Sequence, residues 1–218
     1  MKLVTHFAWY TMRDLARNRW GIMYMLFFAI LTVGLHYMQA QSAKVAVSLL
    51  SVCLFLIPLV SSLFGSIYFY NSREFVELVL TQPVSRRTVL LGMYIGLAAG
   101  LAIGMLVGIG LPSAILGNGT ANQWLSLLSL VGIGTFLTLI FVALSFLIAI
   151  IFDDRGKGLA AALGVWLFSA LIYDGLVLFA ATRFSEYPLE MPLLIATMAN
   201  PIDLARVTLL VNTDWAAL

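Results

Sequence analysis

The sequence has one cysteine (Cys53), two histidines (His6 and His36), and only 12 basic and 10 acidic side chains among 218 residues. A lone cysteine forms no internal disulfide and no thiolate metal site by itself. In its apolar run Cys53 reads as a small buried or lipid-facing residue. H-E-x-x-H is missing and the two histidines are far apart, which argues against an intramembrane zinc protease. The string "HYM" at 36–38 offers one His and one Met, a weak copper site that reads as interfacial anchoring, so no metal ligands are assigned. No G-x-x-x-x-G-K-[ST] occurs. "GKG" at 156–158 lacks its spacing and its hydroxyl, so the chain is not expected to hydrolyse ATP. No G-x-S-x-G nucleophile elbow is present, and no basic patch with interleaved aromatics supports nucleic-acid binding. The N-terminus is not a cleavable signal, because its first apolar stretch follows mixed residues and has no small-residue cleavage site.

Charged residues make up 10% of the chain, against roughly 25% in a soluble domain. Hydrophobic residues make up 62% and mean hydropathy is +1.02. An all-α polytopic membrane protein follows. Residues 1–19 form an amphipathic interfacial helix, with Arg13 and Arg17 on one side and Phe7, Tyr10, Leu15 and Trp20 largely on the other. Spans are expected at 20–38, 45–71, 88–112, 124–152 and 158–182, in one transmembrane domain covering 1–218. A span of ~27 residues reaches ~40 Å, more than the ~30 Å hydrocarbon core, so the second and fourth tilt or project. "DDRGKG" (153–158) is a short charged turn. Segment 192–212 is cut by Pro201, Asp203 and Arg206 into pieces too short to span, which suits a re-entrant pair of half-helices on the outer side. A sixth span is expected and is absent from this sequence.

Lys and Arg give the orientation. Lys2, Arg13, Arg17, Arg19, Arg73, Arg86, Arg87, Arg155 and Lys157 fall on one side, and Lys44, Arg183 and Arg206 on the other. The positive side is expected in the cytoplasm, with the N-terminus.

Three features stand out. Gly92, Gly96, Gly100, Gly104 and Gly108 repeat every four residues through the third span. They suit close helix packing, either static within one subunit or as a face that slides against a neighbour. Asp174 is the one ionisable side chain well inside a span. It reads as a structural hydrogen bond, to the Asn200–Arg206 segment or a neighbouring helix, with substrate or proton handling as the alternative. Between the second and third spans, Arg73, Glu74, Glu77 and Thr81 share an arc of a helix while Phe75, Leu78, Val79 and Leu80 occupy much of the rest. Gln82-Pro83 ends that helix, and Arg86 and Arg87 mark the return to the membrane. This helix either lies on the membrane surface or docks into a groove on a cytoplasmic partner.

"REFVELVLTQPVSRRTVLLGMYIGL" (73–97) resembles the loop and third span of ABC-2 type permeases, and "RDLARNRW" (13–20) resembles their interfacial helix. Met93 stands where many members have Lys. "NPIDLARVTLL" (200–210) and "ALGVWLFSALIYDGLVL" (162–178) are similar to a branch of the family tied to copper-site maturation of nitrous oxide reductase. The resemblance implies six helices per permease and a permease homodimer on two cytoplasmic ABC ATPase subunits in the bacterial inner membrane. ATP and Mg would sit on those subunits, with no cofactor on this chain. Carried over, Arg73, Glu74, Phe75, Glu77, Leu78, Gln82 and Pro83 match the coupling helix 73–83. Asp153, Asp154 and Arg155 belong to the second cytoplasmic loop, which also touches the ATPase. The branch implies a periplasmic NosD-like partner near Asn200, Asp203 and Arg206. The alternatives are an ABC-2 exporter of lipid, drug or polysaccharide, or, in another class, a membrane enzyme or scaffold. The expected mechanism is mechanical, because the spans carry few charges besides Asp174.

Overall fold

The computed structural model describes residues 2–17, 19–38, 42–81, 84–116, 121–183 and 190–217, and among these every regular element is helical. In chain order they are α1 (Lys2–Arg17), α2 (Arg19–Met38), α3 (Ser42–Asn71), α4 (Arg73–Leu80), α5 (Arg86–Leu116), α6 (Ala121–Ile151) and α7 (Arg155–Leu167). A π-helical turn (Phe168–Ile172) follows, then α8 (Tyr173–Arg183), α9 (Glu190–Ala199) and α10 (Pro201–Ala217). Five stretches are long and apolar enough to cross a membrane: Arg19–Met38, Ser48–Asn71, Arg86–Leu116, Trp124–Ile151 and Arg155–Arg183. The chain is an integral membrane helix bundle.

The bundle has α5 and α6 at its centre. α1 and α2 pack along α5, α3 packs along α6, and α10 closes on α6 and α3. Small residues let α3 and α6 approach closely. A Cβ on Gly65 would fall on the Ser145 hydroxyl, and Ser61, Ser62, Ser66, Thr138 and Ser145 are all buried. Lipid supplies no hydrophobic force between spans, so such close approach is what holds them together.

α5 carries two adjacent stripes. Val89, Met93, Leu97, Leu101, Met105 and Ile109 are buried, and from Met93 on each follows one member of the glycine series. A Cβ on Gly134 of α6 would meet Met105 Sδ at 2.8 Å and Ile57 Cδ1 of α3 at 2.9 Å. The large side chains therefore fill the centre and the glycines face away from it. Met93, 2% exposed, belongs to this packed stripe.

Two expected boundaries differ. α5 continues through Pro112 to Leu116. A proline removes one backbone donor, and inside a membrane bundle neighbouring helices tolerate that loss. The expected turn at 153–158 is already helical from Arg155, because the Asp154 side chain accepts the Lys157 N–H at 2.8 Å and caps α7.

Candidate coupling surface and outer polar cluster

The glycine series has its partners within the chain. A Cβ on Gly92 would meet Phe7 Cβ, and one on Gly96 would meet Thr11 Cβ and the Ala8 carbonyl, both on α1. Gly100 abuts Leu15, Gly104 abuts Tyr24, and Gly108 abuts Met25 and Phe28. A four-residue repeat turns about 40° per step around a helix of 3.6 residues per turn. The stripe thus winds from α1 onto α2, and one stripe seats two helices.

α4 presents a mixed outward face. Glu74, Phe75, Glu77 and Leu78 are exposed, Leu78 by 70%, while Val76 and Val79 pack against the core. At 100° per residue Glu77 and Glu74 lie within about 60° of each other, and Leu78 and then Phe75 follow on the Glu74 side, so an acidic arc borders an apolar edge. The Phe75 ring stacks on Tyr10 of α1, with centroids 6.1 Å apart and 15° between planes. Tyr10 is 61% exposed even so, and Phe7 and Leu15 are the members of the α1 apolar set that meet α5.

The two loops expected on the same side are joined. Arg73 Nη2 lies 2.6 Å from Asp153 Oδ1, and Nη1 donates to the Asp153 carbonyl at 3.2 Å. Arg73 also lies 3.8 Å from Glu77. The Asp153 hydrogen bond, and then its charge, raise the guanidinium above its ordinary range. Beside this pair the Tyr70 hydroxyl donates to the Phe152 carbonyl at 2.7 Å, and its ring covers Gly158, where a Cβ would collide with it. Asp154 caps α7 and Arg155 is exposed at its first turn. Thr81 closes α4 by donating to the Leu78 carbonyl at 2.7 Å. Gln82 and Pro83 lie outside the described residues.

At the other end, "NPID" builds a helix start. Asn200 Oδ1 accepts the Ile202 N–H at 3.2 Å, and Pro201 opens α10, where its missing N–H costs nothing. Asn200 Nδ2 donates to Asp203 Oδ2 at 2.9 Å and to the Ser169 carbonyl of the π turn at 2.8 Å. Arg206 Nη1 lies 2.8 Å from Asp174 Oδ2 and 3.3 Å from Asp203 Oδ1. The partner of Asp174 is thus Arg206 of the Asn200–Arg206 segment. Asn200 and Asp203 are buried, 3% and 6% exposed, and turn toward the fifth span at Ser169 and Asp174. α10 is not one of the spanning stretches. Burial first, and the adjacent Asp174 second, push Asp203 up to about 6.

Cys53 is buried and free. His36 Nδ1 lies 3.0 Å from the Thr32 carbonyl of its own helix. Among the described residues no group of three or more His, Cys, Asp or Glu is placed to hold a metal.

Among the described residues, five stretches able to span a membrane, a short charged helix between the second and third of them, and two shorter helices after the fifth suit a membrane permease. The chain belongs to the ABC-2 transporter family: the model of the "ABC-2 family transporter protein" family matches residues 6–213. It is 31% identical over 236 residues to the "Probable ABC transporter permease protein NosY" of Pseudomonas aeruginosa, covering 100% of this chain and 85% of that protein. It is 30% identical over 225 residues to the protein of the same description from Stutzerimonas stutzeri, covering 94% of this chain and 80% of that one. It is a membrane permease subunit of an ABC transporter, similar to NosY.

Proposed function

We propose that this chain works as a homodimer in the bacterial inner membrane, N-terminus in the cytoplasm, on two ABC ATPase subunits that bind ATP and Mg. The α4 surface carries the reading. Its outward face offers Leu78 and Phe75 beside an arc that carries Glu74 and Glu77, and Arg73 ties it to the Asp153 loop. An apolar edge bordered by carboxylates suits a cleft in a partner protein, since a surface lying against anionic lipid would carry basic residues beside its apolar edge. Movement of that cleft on ATP binding would carry α4 with it.

The NosY-like reading adds a role in copper-site assembly of nitrous oxide reductase, with a periplasmic NosD-like protein on the outer segment. Because Asn200 and Asp203 are turned inward, the contact would fall to exposed neighbours such as Met191, Ile195 and Met198. Either an apolar cargo passes along the dimer seam or the permease signals mechanically to the outer partner.

The test is co-purification from the native membrane and ATPase turnover with Glu74→Arg and Phe75→Asp. Both variants are expected to assemble in the membrane, lose the ATPase on pull-down, and lose stimulation of its turnover. Unchanged pull-down and turnover with both would refute the assignment of α4.

A further inference from the structure

A cavity of about 380 Å³ opens between α1, α2 and α5. Met12, Ile22, Met25, Ile103 and Val107 line it, and Gly100 and Gly104 widen it by lacking side chains. Its size falls within the range of small-ligand pockets. Arg13 stands at one side of this apolar space and also lines a second, polar cavity of about 480 Å³, shared with Tyr10, Asp14 and Arg17. One side chain therefore marks the border between an apolar slot and a basic recess. Among the described residues neither Arg13 nor Arg17 pairs with a carboxylate within 4 Å. Trp9, 61% exposed, stands at the same level, where an indole marks headgroup depth.

We propose that the α1–α2–α5 cleft is a binding site for one net-anionic glycerophospholipid, with an acyl chain in the apolar slot and its phosphate on Arg13 and Arg17. Two guanidiniums against the single Asp14 leave the recess net positive, which complements a headgroup of charge −1. The slot excludes water from the chain while the arginines stay at the headgroup level, the usual division between the stem and the head of an interfacial arginine. A lipid here would wedge between α1 and α2 beside the glycine stripe, so it would set how α1 sits on α5. The inference rests on the cleft and holds whether or not α4 binds an ATPase.

The test uses the full chain in detergent, loaded in turn with phosphatidylglycerol, phosphatidylethanolamine and phosphatidylcholine, with retained lipid counted by native mass spectrometry. Phosphatidylglycerol is expected to be retained over both zwitterionic lipids by about fivefold for each arginine engaged. Arg13→Gln/Arg17→Gln should bring it down to the phosphatidylcholine level. Ile103→Trp, which fills the slot from an exposed position, should lower retention of every lipid. Millimolar inorganic phosphate should not displace the lipid. Equal retention of the three lipids by the unmodified chain, no effect of the double variant, no effect of Ile103→Trp, or full displacement by phosphate would each overturn the proposal. The comparison within the unmodified chain does not depend on how any variant folds.

Discussion

Gly96 is the tightest point at which α1 meets α5, and Gly96→Ala tests the packing directly. The added Cβ would lie 2.6 Å from Thr11 Cβ and 3.0 Å from Ala8 Cα, and would also press on the Ala8 carbonyl. These atoms belong to the backbone or stand next to it, so no rotamer change relieves them. From 2.6 Å to the 3.4 Å at which ordinary contact begins, α1 must retreat by about 0.8 Å. That retreat also strains the hydrogen bond from the Tyr68 hydroxyl to Thr11 Oγ1, now 3.2 Å. Overpacking of this kind costs about 1–3 kcal/mol. At about 2–4 °C per kcal/mol for a chain of this size, the melting temperature should fall by several degrees. Gly110→Ala is the control: nothing lies within 4 Å of its Cβ, and alanine favours a helix by up to about 1 kcal/mol over glycine in water. Melting is followed in detergent by fluorescence-detected size exclusion. If Gly96→Ala melts with the unmodified chain while Gly110→Ala behaves the same way, α1 is not seated on the glycine stripe as described.

Arg73→Asp and Asp153→Arg should each leave melting nearly unchanged, since the pair is exposed and screened, yet each should reduce ATPase stimulation, and the double swap should restore it. Equal loss in the double swap would refute a link between the two loops. Arg206→Ala should destabilise more than Asp174→Asn, because it leaves two carboxylates facing each other. With Arg206 44% exposed, its cost is about 1–2 kcal/mol, less than for a fully buried pair. Asp174→Asn should keep most activity, and loss of transport with normal assembly would return Asp174 to substrate or proton handling. Asp203 has its pKa raised in the fold to about 6, above an ordinary value of about 3.9. Its stabilising contribution is thus present at low pH and fades as pH rises from about 4 to about 6. The melting temperature of the unmodified chain should fall relative to Asp203→Asn across that window, and parallel curves would refute the assignment.

Composition alone made the helical membrane class legible, because few charges and long apolar runs leave no other solution. The spacing of the glycines marked the packing face. It did not reveal two partners, since a repeat of four on a helix of 3.6 is read as one line unless its drift is followed. The direction of the Phe75 ring was hidden for a different reason: it depends on Tyr10, 65 positions earlier in the sequence. The same holds for Arg73 and Asp153, 80 apart. "NPID" holds the Asn and Pro of a helix start, but the inward turn of Asn200 and Asp203 depends on Ser169 and Asp174 of the fifth span and left no local mark. The π turn at Phe168–Ile172 left no local mark, because the carbonyl it offers is taken by Asn200, 31 residues away.

Besides the chain links at Ser72 and through residues 81–85 and the packing of Val76 and Val79 on the core, two side-chain routes lead from α4 into the bundle. One runs through the Phe75–Tyr10 stack into α1, whose backbone rests on Gly92 and Gly96 of α5. The other runs through Arg73–Asp153 and Tyr70–Phe152 to the start of α7, and so to the stretch that carries the π turn and Asp174. A push on α4 therefore reaches α5 by way of α1, and α7 from its end. The first contact is stacking over a close-packed, side-chain-free face and admits little compression. The second is an exposed ion pair that can break and re-form with little loss. A displacement of α4 of an ångström or so would be passed to α5 before it was passed to α7. Labels on α1 and α7, followed by distance measurement on ATP addition to the assembled complex, should show α1 moving with α4 and α7 lagging; α7 moving alone would refute this order.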